Sequence, residues 1–380
     1  MNRNRLVYID NLRLVIIVLV VIQHLAVMYS GLSDWYYTEN AQCGPGQTTF
    51  FLYWITFTQG YFMGLMFLLA GYFIPSSYDK KGFRDFLRDR AFRLGIPALI
   101  YIFGISPLIL YVILGNRDFG GDNFIMYFLK NIIHFRFLNN MGPLWFAAAL
   151  LFFSAIYALI RKFLTPRAKT AENTGFPGTV KIFALILLIS VISFIARIYL
   201  PIGTKIISMR LGYFSQYVIL FIVGIKCRRN NWLEKIDCFK GRIWLFSGLV
   251  LSFVFWIILA DLGRMTRDNY SMFNGGLHWQ SASYSLWESF AAVSMDIGLI
   301  ALFKEKFNKQ NSLVRAMSDN AFAVYVFHAP IIVWLALRIA PINAYPAVKF
   351  AALSLVSVPI CFLFTNYIVR KISALRKVLA

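Results

Sequence analysis

Long apolar runs, separated by short polar connections, repeat along almost the whole chain. Each run approaches the roughly 20 residues that a helix needs to cross a bilayer. A segment in lipid must satisfy its own backbone hydrogen bonds, so each run is predicted to be helical. The pattern predicts an all-α polytopic membrane protein, a bundle of about ten transmembrane helices at 12–32, 50–74, 94–114, 143–163, 180–200, 211–226, 241–260, 284–303, 321–340 and 346–369.

The composition agrees with a membrane protein. Of the 380 residues, 59% are hydrophobic and only 14% are charged, whereas soluble domains carry about 45–50% apolar and about 25% charged residues. The first apolar run is too long for a signal peptide, and no small-residue cleavage site follows it. Because the connections are short, we expect a single integral-membrane domain over residues 1–380 without an appended soluble domain.

Lysine and arginine concentrate in alternate connections. The second, fourth, sixth and eighth connections and the tail are basic, and the first connection has neither residue. The positive-inside rule therefore predicts that both termini are cytoplasmic. The formal net charge of +21 then reflects the membrane topology. The basic connections are expected to attract anionic lipid, and they do not indicate nucleic-acid binding.

Several common kinds of site have no sequence signal. The four cysteines lie in unrelated segments without a CxxC spacing, so neither a disulfide framework nor a metal site is expected. The motifs GxxxxGK, HExxH and GxSxG are missing, which leaves ATPase, zinc-protease and serine-hydrolase functions unsupported. The sequence shows no internal repeat, and this weakens the inverted-repeat transporter architectures.

His24 is the first candidate functional residue, because an ionisable side chain at membrane depth is costly and usually functional. Counted from Leu12, it lies roughly 18 Å along its helix, near the middle of a roughly 30 Å hydrocarbon core. A side chain that titrates near neutral pH suits a general base that takes a proton from a hydroxyl. A histidine that only joins two helices through a hydrogen bond is equally compatible with the pattern.

Arg90 and Arg93 precede the third run at an i, i+3 spacing that places both on one helix face. Paired guanidinium groups at a membrane mouth suit a phosphate or pyrophosphate. On charge alone, ordinary positive-inside flanking is the better explanation. The connection is nevertheless dense in basic residues, with six in fourteen positions: Lys80, Lys81, Arg84, Arg88, Arg90 and Arg93.

Further polar residues lie inside the predicted spans. His328 stands beside Pro330, which removes a helical hydrogen bond, so it could line a cavity or join two helices. Glu288 lies near the outer mouth of its span and Asp296 lies deeper, while Arg197 lies in the outer part of another span. Either acid could orient a histidine or accept a sugar hydroxyl. The alternative is a structural ion pair, which we favour for Asp296.

The connections expected outside the cytoplasm are rich in aromatic residues. Interfacial belts of tryptophan and tyrosine are the default explanation for them, and stacking against sugar rings is the alternative. The residues are Trp35-Tyr36-Tyr37, Tyr270 and His278-Trp279-Gln280.

The chain carries four short motifs, in this order: Asp10-Asn11-Leu12-Arg13 with His24 fourteen residues after Asp10, Arg90-x-x-Arg93, Gly142-Pro143-Leu144-Trp145-Phe146, and Tyr325-x-x-His328-x-Pro330. Together they resemble those of the membrane acyltransferase-3 family, and the resemblance covers essentially the whole chain. Leu14 stands where the family usually has glycine, a change that removes no functional group. The chain is similar to the stand-alone members that acylate glycans and exopolysaccharides.

The resemblance implies transfer of an acyl group, such as acetyl or succinyl, from cytoplasmic acyl-CoA to a hydroxyl of an extracytoplasmic or lipid-linked glycan. It implies His24 as the general base or the acyl carrier, without a metal, in a bacterial plasma membrane. It leaves the oligomeric state open. The expected donor contacts are Arg90, Arg93, Asp10, Arg13 and His328, and the expected acceptor contacts are Glu288, Trp145, Tyr325 and Trp279.

Two other functions fit the same intramembrane charges. A transporter or flippase for a glycan or small anion would use them as its binding site. A membrane sensor or assembly protein would use them only to hold its helices together. The order of the motifs favours the acyltransferase, and binding of CoA would separate it from both alternatives.

Overall fold

The computed structural model describes residues 6–32, 35–39, 41, 43–114, 123–164, 174–265 and 269–379. The prediction of an all-α protein is confirmed, since the strands in these ranges are only the two-residue antiparallel pair β1 (Lys205–Ile206) and β2 (Met209–Arg210). The helices of the first half are α1 (Val7–Ser30), α2 (Pro45–Arg90), α3 (Ile96–Ile100), α4 (Ser106–Leu114), α5 (Phe124–Ile133), α6 (Trp145–Phe163) and α7 (Thr179–Tyr199).

The second half continues the bundle with long helices joined by short ones. Stretches of π-helix, Ala91–Gly95, Tyr101–Ile105 and Ser247–Leu251, connect α2 to α3, α3 to α4 and α10 to α11. The helices are α8 (Phe214–Asn230), α9 (Trp232–Lys235), α10 (Cys238–Phe246), α11 (Ser252–Leu262), α12 (Ser271–Asn274), α13 (Trp279–Lys306), α14 (Ser312–Ile339), α15 (Pro346–Tyr367) and α16 (Ser373–Leu379).

Eight helical segments among the described residues are long and apolar enough to cross a membrane. One of them, Pro45–Val112, contains 68 residues, which would extend about 100 Å as a single helix. Gly82 interrupts it with a φ of 75°, so two of the predicted spans lie in this segment. The predicted span 211–226 corresponds to α8, whose 17 residues reach only about 26 Å. The number of crossings and the side of each terminus remain predictions.

Close contact between backbones holds α2 against α8. A Cβ atom on Gly71 would lie 2.1 Å from the carbonyl oxygen of Phe221, and one on Gly224 would lie 2.0 Å from that of Leu68. Small residues allow membrane helices to approach in this way, and the dispersion contacts then stabilise the pair. The two glycines are therefore required by packing, because neither contact has room for a methyl group.

The first helix lies at the centre of the bundle. It contacts α2, α13, α14 and α15, and most of its side chains from Tyr8 to Ser30 are buried. The polar residues that it carries therefore face other helices. This placement brings the motifs near both ends of α1 together with residues that are distant in the sequence.

We expect Gly71→Ala to destabilise the protein in detergent by about 1–3 kcal/mol, because the added methyl group must push two helix backbones apart. Gly104→Ala is the matched control, since no atom lies within 4 Å of a Cβ at that position. Thermal unfolding of both purified variants checks this. Equal midpoints for the two would show that the contact between α2 and α8 is less tight than described.

Candidate functional site

His24 is held by the backbone of its own helix. Its Nδ1 lies 2.8 Å from the carbonyl oxygen of Val20. A carbonyl can only accept a hydrogen bond, so Nδ1 carries the proton in the neutral ring and Nε2 carries the lone pair. The residue is half-buried, although α1 lies at the centre of the bundle. His24 thus presents an unprotonated nitrogen in partly accessible space.

A second histidine lies beside it. Nε2 of His328, on α14, is 3.3 Å from Nδ1 of His24, and the two ring centroids are 5.0 Å apart. Nδ1 of His328 lies 2.8 Å from the carbonyl oxygen of Tyr325 and must donate to it. Nε2 of His328 is then an acceptor that faces the Nδ1–H group of His24. The structure therefore joins two histidines that are separated by 304 positions in the sequence.

This arrangement suits proton transfer at His24. If Nε2 of His24 takes a proton, the ring becomes a cation whose Nδ1–H group already faces two acceptors, the Val20 carbonyl and Nε2 of His328. Hydrogen bonds to the charged form stabilise it. His328 itself is fully buried, and its Nε2 faces the ring of His24. The expected contact of His328 with the donor stays a prediction.

The third motif contacts α14, the helix of His328, through Tyr325. The hydroxyl of Tyr325 donates to the carbonyl oxygen of Pro143, which fixes α14 against the turn that precedes α6. Gly142 has a φ of 49°, and a Cβ there would lie 2.5 Å from the hydroxyl oxygen of Tyr36 and 2.6 Å from that of Tyr101. Gly142 and Pro143 are thus explained by close packing. The hydroxyl of Tyr325 is bonded to the Pro143 carbonyl, and the expected contact of Tyr325 with the acceptor substrate stays a prediction.

The opening motif lies on the same face of α1 as His24. Eleven residues, about three turns, separate Arg13 from His24, so the two side chains leave the helix in similar directions about 16 Å apart along its axis. Asp10 lies 3.9 Å from Arg13 in an i, i+3 pair. Asn11 fastens this end of α1, since its Nδ2 donates to the carbonyl oxygens of Phe307 at 2.7 Å and Lys309 at 3.0 Å.

Arg90 lies at the same end of the bundle as Arg13. Its positive charge and that of Arg13 act on each other, and the Arg13 guanidinium lies over the ring of Phe73 at 4.5 Å. Nε of Arg90 is buried and has no hydrogen-bond partner among the described residues. Guanidinium groups bind phosphate through their N–H donors. The unused Nε–H group of Arg90 is compatible with the expected contact to a phosphate, which stays a prediction.

Arg93 has a different environment from Arg90. Its side chain is 58% exposed and lies 3.3 Å from Asp89, which also pairs with Lys81 at 2.7 Å. A stretch of π-helix begins at Ala91, and its wider turns change the relation between positions three apart. Arg90 is half-buried, so the two arginines do not present a uniform face to one ligand.

Glu288 is committed to an ion pair. Its Oε2 lies 2.5 Å from Nη2 of Arg197, and both side chains are fully buried. Arg197 also donates to the hydroxyl of Ser285 and to the carbonyl oxygen of Gly212, each at 3.0 Å. Its other oxygen, Oε1, is buried and has no hydrogen-bond partner among the described residues. The structure thus shows a structural ion pair at Glu288, and the expected contact of Glu288 with the acceptor stays a prediction.

The interpretation of Asp296 as a member of an ion pair is wrong. Its side chain is 1% exposed, and neither carboxyl oxygen has a hydrogen-bond partner among the described residues. Sequence position alone could not distinguish the two acids of this helix. Glu288 meets the arginine because α7 packs against that part of α13.

The two tryptophans expected to contact the acceptor lie in unlike places. Trp145 is half-buried in an aromatic group and stacks on Tyr217 with ring centroids 5.9 Å apart. Trp279 begins α13 and is 52% exposed. Neither ring contacts His24 in the described residues, so contacts with an acceptor remain predictions for both.

Trp35 is the site residue that sequence reasoning missed. The sequence pattern favours an interfacial belt for it, but its ring lies 4.5 Å from that of His24, with an angle of 30° between the planes. An indole at this distance covers part of one imidazole face. The only signal in the sequence was its position in an aromatic connection directly after the helix of His24.

A multi-pass helical bundle with a paired, half-accessible histidine at its centre defines a candidate membrane enzyme. A family model described as an acyltransferase domain, Acyl_transf_3, matches residues 6–366. The chain therefore belongs to the acyltransferase-3 family and is a membrane acyltransferase. The comparison with curated proteins gave no match, and neither did the comparison with solved structures.

We expect Glu288→Leu and Arg197→Met each to destabilise the protein by about 3–5 kcal/mol, because each leaves a charge buried alone. The double variant should be more stable than either single variant, since it removes both charges together. Thermal unfolding of the four proteins measures this. If instead Glu288→Leu unfolds like the wild type and weakens only acceptor binding, then Glu288 is an acceptor residue after all.

Proposed function

We propose that this protein transfers an acyl group, acetyl or succinyl, from cytoplasmic acyl-CoA to a hydroxyl of an extracytoplasmic or lipid-linked glycan. The observation that carries the proposal is the Nδ1–H form of His24, whose Nε2 is free to accept a proton. The membership in the acyltransferase-3 family supports the reaction class. The protein would act in a bacterial plasma membrane with both termini in the cytoplasm.

His24 acts as the general base in this proposal. The acceptor hydroxyl oxygen attacks the thioester carbonyl carbon, and Nε2 of His24 takes the hydroxyl proton. A C–O bond forms, the C–S bond breaks, and the proton passes to the departing thiolate to give free CoA. His328 and the Val20 carbonyl hold the Nδ1–H group and stabilise the cation that forms in between. A free Nε2 could also carry the acyl group, and trapping of an acylated His24 would reveal that route.

The donor would enter at the end of α1 that carries Arg13. Arg13 and Arg90 supply the guanidinium groups for the CoA phosphates, and Asp10 holds Arg13 from one side. The thioester then reaches His24 along α1, over about 16 Å. CoA is suited to this path, because its pantetheine arm is a narrow extended chain with the thiol at its end. Arg93, which is exposed and paired, contributes less than Arg90.

We expect His24→Ala to fold normally and to lose about 10²- to 10⁴-fold in transfer rate, the usual contribution of a general base. The measurement is incorporation of labelled acetyl or succinyl groups from the CoA thioester into the glycan fraction of membranes that contain each variant. His134→Ala is the control, because His134 is an exposed histidine outside the site. Full activity in His24→Ala would refute the assignment of the base.

We expect Arg90→Ala with Arg93→Ala to abolish the thermal stabilisation that acyl-CoA gives the purified protein. A ligand at 100 times its Kd adds about 2.7 kcal/mol. The matched control is Arg84→Ala with Arg88→Ala, which removes the same charge from two exposed positions of the same connection. Of the single variants, Arg90→Ala should lose more than Arg93→Ala.

The alternatives are separated by the same assay. Equal stabilisation of both double variants would make Arg90 and Arg93 topology residues only. If no CoA thioester stabilises the wild type, the donor is wrong, and a transporter or flippase for a glycan or small anion becomes the better hypothesis. Accumulation of the substrate in sealed vesicles without any acyl-CoA would then support it.

A further inference from the structure

The connection after α1 folds back toward the middle of the bundle. Gly31 ends α1 in the left-handed conformation, with a φ of 64°. His24 lies seven residues earlier, about 10 Å along the helix axis. The ring of Trp35 is nevertheless 4.5 Å from the ring of His24. The chain must therefore return along α1 after leaving it, at the end opposite to the basic connections.

One anchor of this connection lies directly beside Trp35. The hydroxyl oxygen of Tyr36 is 3.0 Å from that of Tyr101 and 3.1 Å from Oγ of Ser106. Both partners are fully buried. Burial also raises the pKa of the Tyr36 hydroxyl, so it stays neutral in this contact. Because Gly142 leaves the space that this hydroxyl occupies, the position of Tyr36 is built into the fold.

A second anchor follows four residues after Trp35. Glu39 forms an ion pair with Lys349 of α15 at 3.0 Å, and the two side chains are only 7% and 5% exposed. The backbone N–H of Glu39 donates to the carbonyl oxygen of Met28 at 2.9 Å. Breaking a buried ion pair is strongly unfavourable. These two anchors after Trp35, together with the end of α1 before it, thus hold Trp35 in place, which an ordinary interfacial tryptophan would not require.

The contacts of the His24 ring limit the directions from which another molecule can reach it. Its Nδ1 edge is taken by Val20 and His328, and the ring of Trp35, tilted by 30°, covers part of one ring face. The tilted indole narrows the directions from which an O–H group can reach the lone pair of Nε2. A bound acceptor that fills the remaining opening would then keep water from this atom.

We infer that Trp35 is a positioning residue that shields His24 from water, so that the acyl group passes to the acceptor hydroxyl and not to water. This inference rests on the proposed function. Closing an active site prevents hydrolysis of reactive groups. A thioester beside a general base needs such protection, because the base activates any O–H group that reaches it. Trp35 thereby determines whether the enzyme is a transferase or a hydrolase.

The side reaction that Trp35 prevents is simple to state. A water oxygen attacks the thioester carbonyl carbon, and Nε2 of His24 takes a water proton. A C–O bond forms, the C–S bond breaks, and the proton passes to the thiolate. The products are the free carboxylic acid and CoA, which carries a thiol that can be measured without knowing the acceptor.

The first test measures access to His24 without any substrate. Diethyl pyrocarbonate modifies neutral imidazoles, and mass spectrometry of peptides reports each of the four histidines separately. We expect Trp35→Ala to speed the modification of His24 at least several-fold, and Trp35→Phe to restore slow modification. Trp334→Ala is the matched control, because Trp334 is 54% exposed on the outside of the bundle. His134 and His278 are exposed and should react equally in all variants.

The second test measures the reaction. In proteoliposomes supplied with acetyl-CoA or succinyl-CoA and no acceptor, Trp35→Ala should release thiol several-fold faster than the wild type. Trp334→Ala should match the wild type. His24→Ala combined with Trp35→Ala should remove the increase, because the hydrolysis uses the same base. A merely structural role for Trp35 would lower transfer without raising hydrolysis.

The outcomes separate the two proposals. Equal modification of His24 in Trp35→Ala and Trp334→Ala overturns the role of Trp35, and so does thiol release that does not rise in Trp35→Ala although the wild type consumes the CoA thioester. If the wild type transfers acyl groups in membranes, the proposed function survives that result. If modification of His24 increases as expected but no variant ever consumes a CoA thioester, the shield is real and the proposed donor is wrong.

Discussion

Helix α1 places the polar side chain of His24 at the centre of an apolar bundle. There the Nδ1–H group of His24 needs a hydrogen-bond acceptor within the protein. Unsatisfied polar groups cost several kcal/mol where no water can reach them. The Nδ1–H group of His24 therefore faces the Val20 carbonyl and Nε2 of His328. His328 is satisfied in turn by its own backbone. This requirement fixes the tautomer and leaves the lone pair of the neutral His24 ring on Nε2.

The two ends of α1 have different surroundings. At the basic end, Asn11 fastens the helix to the connection before α14, and Arg13 and Arg90 both lie there. At the other end, the ion pair of Glu39 and Lys349 holds an aromatic connection near the histidine. His24 lies between these two ends.

Individual residues show how far sequence reasoning reaches. His24 was found because an imidazole in an apolar run is unusual whatever its neighbours are. Glu288 and Asp296 are equally visible in the sequence, but the ion pair expected at Asp296 forms at Glu288, since the position of Arg197 on α7 decides which acid is paired. Trp35 was assigned to a lipid interface because aromatic residues near helix ends usually belong there, and nothing local to it revealed that the chain turns back.

The sequence by itself determined the class of protein, the positions of most helices and the identity of the central histidine. These features follow from hydrophobicity and run length, which act locally because each helix in lipid satisfies its own backbone. The tertiary structure alone decided which polar residues meet. Hydrogen bonds and ion pairs between helices depend on packing contacts such as that of Gly71 with Phe221, and such contacts join residues whose separation along the chain carries no information about their distance.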